Sequence, residues 1–140
     1  MKNVYLDSNV VIYYIEQHPR YLAAIQERMF GTQDADQIQY TVSDLVRMES
    51  RVHPLGAGNL SLLARFDTFF DANQAHSTPM DTTVFDLATQ LRAEHKLKTP
   101  DALHLAAALN AGCDEFWTND HRLANAAQGR INIVTFESTL

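Results

Sequence analysis

The sequence is poor in the residues that build several common kinds of site, and each scarcity excludes a class of protein. Cys113 is the single cysteine in 140 residues, so an intramolecular disulfide is impossible and no CxxC pair is present to bind zinc. No uninterrupted apolar run approaches the roughly 20 residues of a membrane-spanning helix. The first residues, with Asp7 inside a short apolar run, do not resemble a signal peptide. We therefore expect a protein of the reducing cytoplasm that has no membrane partner.

Several catalytic motifs are also missing. The chain contains no P-loop, no GxGxxG, no GxSxG and no obvious Ser-His-Asp order, so it offers no evident nucleotide loop or side-chain nucleophile.

Positive charge is scarce as well, because 11 Lys and Arg stand against 17 Asp and Glu, for a formal net charge of −6. Phosphate binders are usually basic, but this argument weakens if several of the acids bind metal ions.

Hydrophobic residues make up 46% of the chain, which suits one compact domain over residues 1–140. Short β-type runs at residues 4–6, 38–42, 75–79, 115–118 and 131–136 alternate with helical patterns. The helices are expected at residues 10–15, 21–29, 44–52, 60–70, 81–95, 99–109 and 119–126, and a polar loop at 31–37. Ser8 or Asn9 and Thr99 are the expected caps of the first and sixth helices, Pro54, Gly56 and Gly58 are expected to break the third, and Gly112 to end the sixth. This alternation predicts a three-layer α/β fold, in which helices flank a central parallel sheet of about five short strands.

Acidic residues follow two of the predicted strands. Asp7 comes directly after the first strand and Asp120 after the strand that ends at Thr118. Ligand sites in open α/β sheets lie beyond the carboxyl ends of strands, and the two acids would share one site if these two strands lie side by side. Asp101 stands in the first turn of a helix that is apolar nearly all round and should therefore be buried. Each of these acids also has an ordinary explanation as a helix cap or turn residue.

Glu49 is a more specific signal, because its spacing from Leu45 and Val52 places it on a core-facing stripe of the third helix. An ionised acid there is costly unless it is metal-bound or paired, with Arg47 or Arg51 as the structural alternative. Four converging acids without cations would repel one another, whereas Mg²⁺ and Mn²⁺ prefer carboxylate and water oxygens. A bound ion lowers the pKa of water from about 15.7 toward about 7, so the cluster predicts hydrolysis of a phosphodiester without a nucleophilic side chain.

Other polar residues near these acids have weaker signals. Asn9 and Thr118 are candidate supporting groups for a carboxylate or a metal-bound water. His104, one helical turn after Asp101, is expected to pack or to form a hydrogen bond, and His121 is expected to be solvated. Three basic residues precede Asp101 and either contact RNA phosphates or form a solvated face: Arg92, Lys96 and Lys98.

Four segments resemble, in order, the motifs of the PIN domain family over essentially the whole chain. They are VYLDSNVVIY at 4–13, SDLVRMES at 43–50, KTPDALHLAAA at 98–108 and FWTND at 116–120. The third is the most specific of the four. The resemblance implies a PIN fold and Mg²⁺- or Mn²⁺-dependent endoribonuclease activity. It also assigns the metal acids as Asp7, Glu49, Asp101 and Asp120, with Asn9 and Thr118 as supporting groups.

Size and motif style are most similar to VapC-like toxins of prokaryotic toxin–antitoxin pairs. This resemblance implies an RNA substrate, a homodimer and a small antitoxin that occupies the acidic cleft. The polar segment 31–37 departs from the family pattern, which puts substrate contacts there in question.

Two other functions are compatible with parts of this pattern. The acidic net charge also suits a non-catalytic PIN-fold module that binds RNA or a protein. A phosphatase of the haloacid dehalogenase type likewise begins with a strand and an Asp. That chemistry needs a second acid two residues after the nucleophile, where this chain has Asn9.

Overall fold

The strands form one sheet in which every neighbouring pair is parallel. The computed structural model describes residues 1–33, 35–72 and 74–138. Along the chain the strands are β1 Lys2–Leu6, β2 Ile38–Ser43, β3 His76–Thr78, β4 Glu115–Trp117 and β5 Asn132–Val134. Their order in the sheet is β3-β2-β1-β4-β5. The predicted parallel α/β fold with about five short strands is therefore confirmed.

Helices fill the connections between the strands. They are α1 Ser8–Ile15, α2 Leu22–Phe30, α3 Asp44–Gly56, α4 Leu60–Asp71, α5 Thr82–His95, α6 Thr99–Asn110 and α7 Ala124–Ala127. Short 3-10 turns at Ala35–Gln37 and His121–Leu123 lie in the predicted loop 31–37 and in the predicted helix 119–126. Asp34 of that loop lies outside the described residues. In the described part of the chain, no helix is long and apolar enough to cross a membrane.

The strand order places a crevice at one position of the sheet. From β1 the chain adds β2 and β3 on one side, then crosses to add β4 and β5 on the other. The carboxyl ends of β1 and β4 are therefore the topological switch point, where α/β sheets bind ligands. Leu6 is in register with Trp117, and the Asp7 backbone N donates to the Trp117 carbonyl at 3.0 Å. The residues that follow both strands consequently lie side by side.

Burial in α5 and α6 follows the sequence pattern closely. Residues 102–108 of α6 are all buried, as expected for a helix that is apolar nearly all round. In α5 the buried side chains are Val84, Ala88 and Leu91, at the spacing of one helical face. The two helices pack against each other, and α6 also contacts β2 and α3.

The end of α3 differs from the prediction. Pro54, Gly56 and Gly58 were expected to break this helix after about residue 52, but the helix continues through Pro54 to Gly56. A proline in the last turn removes only its own N–H, and the Pro54 carbonyl still accepts from the Asn59 backbone N at 2.9 Å. The chain leaves the helix at Gly58, whose φ of 68° favours glycine.

Candidate active site

Asp7 is the first residue beyond β1 and is held from both sides of the switch point. One carboxylate oxygen accepts from the Ser8 backbone N at 2.7 Å, which caps α1. The other oxygen accepts from the Thr118 hydroxyl at 2.7 Å. Asp7 and Thr118 are both buried. The carboxylate therefore has a fixed orientation, because each of its oxygens has a partner.

Thr118 organises the segment that follows β4. Its Oγ1 donates to Asp7, accepts from the Asp120 backbone N at 3.0 Å, and lies 3.5 Å from the Asn9 amide nitrogen. The Asn9 Oδ1 in turn accepts from the Asn119 backbone N at 3.2 Å. Both supporting residues chosen from the sequence thus tie the segment after β4 to the segment after β1.

Glu49 reaches the same crevice from α3. Its Oε1 accepts from the Ser8 hydroxyl at 2.7 Å and from His104 Nε2 at 2.5 Å. Burial raises the pKa of the Glu49 carboxyl, but the hydrogen bonds from His104 and Ser8 outweigh it, so the pKa lies below its ordinary value. The side chain is therefore held as a carboxylate.

The predicted reason for burying Glu49 was wrong. Leu45 is only half-buried and Val52 is exposed, so these residues do not form a core-facing stripe with Glu49. The side chains that α3 buries are Val46, Ser50 and Pro54. Arg47 and Arg51 bind acids of α4 at 2.9 and 2.7 Å rather than Glu49. Glu49 lies at the edge of the buried face, which points it toward the crevice instead of the core.

Asp101 and Asp120 share one arginine. The Arg122 guanidinium contacts Asp120 at 2.5 and 2.9 Å and lies 3.8 Å from Asp101. Hydrogen bonds from Arg122 lower the pKa of Asp120. Burial, together with repulsion from Asp120, raises the pKa of Asp101.

Asp101 lies in the first turn of α6, as expected. The N-cap of that helix, however, is Lys98, with an extended backbone, rather than the expected Thr99.

The four acids thus form two linked pairs around the switch point. His104 joins Asp7 and Glu49, because its Nε2 lies 3.7 Å from an Asp7 oxygen and 2.5 Å from Glu49. Arg122 joins the other two. The two pairs also interact electrostatically, since the negative charge of Asp7 contributes to the raised pKa of Asp101.

The chemistry of this donor set fits a hard divalent cation, because it offers carboxylate oxygens and no thiolate. In the present conformation, within residues 1–33, 35–72 and 74–138, no three His, Cys, Asp or Glu side chains are arranged to hold a metal ion. Arg122 takes the place of a cation beside Asp120. Its side chain is 63% exposed, and a divalent cation would compete with it for the carboxylates of Asp101 and Asp120.

Sequence reasoning missed three residues of this arrangement. Ser8 had been considered only as a helix cap, and neither Arg122 nor Tyr5, whose hydroxyl lies 2.9 Å from His104 Nδ1, was singled out. Arg122 stands two residues after Asp120, a spacing typical of local side-chain contacts around an Asp turn. His104 forms hydrogen bonds as expected, and the exposed His121 is consistent with a solvated side chain.

Comparison with known proteins places this geometry in a family. The family model described as PIN domain matches residues 4–129. No curated protein sequence matches the chain. Solved structures do match, and those named below are under 25% identical, so they show the fold alone.

The chain is similar to VapBC2 from Rickettsia felis, solved bound to a DNA fragment from its promoter. The identity is 14% and the TM-score 0.78, covering 96% of this chain and 99% of that one. A toxin–antitoxin complex from Klebsiella pneumoniae matches at 22% identity and TM-score 0.68, with 94% and 96% coverage. The Mycobacterium tuberculosis toxin VapC20, described as cleaving the sarcin–ricin loop, matches at 10% identity and TM-score 0.72, with 92% and 98% coverage. With a family model matching most of its length and this fold, the chain belongs to the PIN domain family.

Proposed function

We propose that this chain is a metal-dependent endoribonuclease that hydrolyses RNA phosphodiester bonds. The observation that carries the proposal is the position of four acids around the β1–β4 switch point of a PIN-domain fold, in two pairs that His104 and Arg122 bridge. The proposed metal-binding and catalytic residues are Asp7, Glu49, Asp101 and Asp120, and the supporting residues are Asn9 and Thr118.

The cofactor in this proposal is Mg²⁺ or Mn²⁺, which when bound supplies an activated water and neutralises charge on the phosphodiester. The chain supplies the orientation of the carboxylates. Thr118 and Ser8 hold Asp7, while Ser8 and His104 hold Glu49. The pKa of Asp101 is raised first by burial and then by the negative charge of Asp120, and this second cause supports the proposal, because a cation is favoured between acids that repel one another.

The substrate in this proposal is RNA. Support comes from the M. tuberculosis neighbour, whose description names cleavage of the sarcin–ricin loop. Arg92, Lys96 and Lys98 are exposed just before α6, whose first turn carries Asp101, and they are proposed to contact RNA phosphates.

The biological role in this proposal is the cytoplasmic toxin of a toxin–antitoxin pair, a homodimer neutralised by a small antitoxin. The neighbours from R. felis and K. pneumoniae are toxin–antitoxin assemblies, which supports it. An exposed apolar row on one face of α3 also supports a protein partner. It consists of Met48, Val52 and Leu55, at the i, i+4, i+7 spacing.

The test incubates partner-free protein with a mixed RNA pool in Mn²⁺, in Mg²⁺ and in EDTA. Asp101→Asn is compared with the matched control Asp86→Asn, which changes an exposed acid of α5. We expect metal-dependent cutting that Asp101→Asn abolishes and Asp86→Asn leaves intact. Full activity of Asp101→Asn would contradict the proposed site. RNA binding that is equal in EDTA and Mg²⁺, with no cutting, would instead identify a non-catalytic binding module.

A further inference from the structure

His104 is an unusual residue in its surroundings. It is 2% exposed and stands in the segment 102–108 of α6, where every other residue is apolar. A buried imidazole is costly unless both of its nitrogens find partners. Both do: the Tyr5 hydroxyl lies 2.9 Å from Nδ1, and the Glu49 carboxylate lies 2.5 Å from Nε2.

These contacts have a direction. A carboxylate only accepts hydrogen bonds, so Nε2 carries the proton and donates to Glu49. In the neutral ring Nδ1 then accepts from the Tyr5 hydroxyl, whose oxygen is left to accept from the Ser43 hydroxyl at 2.8 Å. Ser43 also caps the helix that carries Glu49, accepting from the Val46 backbone N at 3.4 Å. The chain of bonds therefore begins and ends on α3, and passes through β1 and α6.

These hydrogen bonds restrain the side chain of Glu49. A glutamate has three rotatable side-chain bonds, and positioning it on a ligand costs conformational entropy. Here Oε1 is bound by both Ser8 and His104, and no other described residue forms a hydrogen bond to Oε2. The imidazole also lies 3.7 Å from an Asp7 oxygen, between the two carboxylates. One oxygen of Glu49 thus anchors the side chain while the other remains available.

We propose that His104 is a positioning residue, which holds Glu49 beside Asp7 as a preformed pair of carboxylates for the divalent cation. This inference rests on the function proposed above. His104 does not itself bind the cation; it acts through Glu49, and Tyr5 and Ser43 act through His104. Groups that orient metal ligands in this way typically change metal affinity by about 10- to 100-fold.

The experiment measures Mn²⁺ affinity of the metal-free protein from the electron paramagnetic resonance signal of free Mn²⁺. His104→Phe keeps a ring in the core but removes the donor, and we expect it to weaken binding about tenfold or more. His104→Gln places an amide donor near the position of Nε2 and should restore most of the affinity. Tyr5→Phe removes only the hydroxyl that orients the ring, so a smaller loss is expected. Trp117 fluorescence during urea unfolding reports whether each variant is folded.

A double variant separates positioning from packing. In a Glu49→Gln background, His104→Phe should cause no further loss of Mn²⁺ affinity, because His104 acts on the cation only through the Glu49 carboxylate. Unchanged binding in His104→Phe would overturn the inference, and so would an equal further loss in the double variant. If His104→Phe does not fold, Tyr5→Phe and His104→Gln decide.

The RNA assay distinguishes the two proposals. Wild-type protein that binds Mn²⁺ and cuts RNA, with His104→Phe binding equally well, refutes the role of His104 alone. Wild-type protein that neither binds Mn²⁺ nor cuts RNA refutes both.

Discussion

The Thr118 hydroxyl donates to the Asp7 carboxylate at 2.7 Å, across the two strands that meet at the switch point. Thr118 is fully buried and Asp7 nearly so, so water does not replace this bond when it is lost. The same hydroxyl accepts from the Asp120 backbone N at 3.0 Å. One side chain therefore fixes the relative position of two of the proposed metal acids.

Thr118→Val should destabilise the metal-free protein by about 1–3 kcal/mol, because it leaves a buried carboxylate oxygen and a backbone N–H without a partner. Thr118→Ser keeps the hydroxyl and should cost less. Urea unfolding followed by Trp117 fluorescence gives both values, and the RNA assay should show a larger loss for Val than for Ser. Equal stabilities for the two variants would show that the hydroxyl does not matter.

Arg122→Ala should strengthen Mn²⁺ binding by about two- to fivefold, because this cation competes for Asp101 and Asp120 but is largely exposed and screened. Arg122→Lys keeps the charge but loses the forked contact with the carboxylate. Its Mn²⁺ affinity should therefore lie between those of Arg122→Ala and the wild type. Isothermal titration with Mn²⁺ measures the affinities. Arg130→Ala, which loses a similar charge beside Glu94, is the matched control. Weaker Mn²⁺ binding by Arg122→Ala would mean that Arg122 assists the cation instead of competing with it.

Two glycines near the end of α3 should respond in opposite directions to alanine. Gly58 has a φ of 68°, where a Cβ is strained, so Gly58→Ala should lower the free energy of unfolding by about 1–2 kcal/mol. Gly56 lies in the helix with open space around its Cα, so Gly56→Ala should be neutral or add up to about 1 kcal/mol. Urea unfolding of both variants tests this. Equal changes in the free energy of unfolding for the two variants would contradict the position at which α3 ends.

Cys113 should be almost unreactive in the folded protein. Burial raises the pKa of its thiol, and the hydrogen bond with Thr41 offsets only part of that rise, so little thiolate forms near pH 8. Alkylation by iodoacetamide, followed by mass spectrometry, should be slow in buffer and rapid in guanidinium. Comparable rates in the two solvents would contradict the buried position of this residue.

Local sequence patterns were sufficient for most of the architecture. The alternation of short β-type runs with helical periodicity predicted a parallel α/β sheet, because each pattern reflects which face of an element is buried. Gly112, expected to end α6, follows that helix at a φ of 70°. The position of each of Asp7 and Asp120 after a strand followed from the same reasoning, whereas the sheet order is what makes those two strands neighbours.

Periodicity was a poor guide where a residue lies at the boundary of a face. Glu49 was placed on a core-facing stripe with Leu45 and Val52, yet α3 turns a different face to the core and leaves Val52 exposed. Pro54 was expected to break the helix, which it does not do because it lies in the last turn. Both differences depend on what packs against α3, and a local pattern does not contain that information.

By itself, the sequence determined the elements, their order along the chain and the choice of the four candidate acids, because these depend on local propensity and on motifs. The partners of those acids were decided by the tertiary structure. Ser8 reaches Glu49 across 41 residues, and Thr118 reaches Asp7 across 111. Such contacts arise only when the sheet sets β1 between β2 and β4, since hydrogen-bond geometry depends on distance in space and not on separation along the chain.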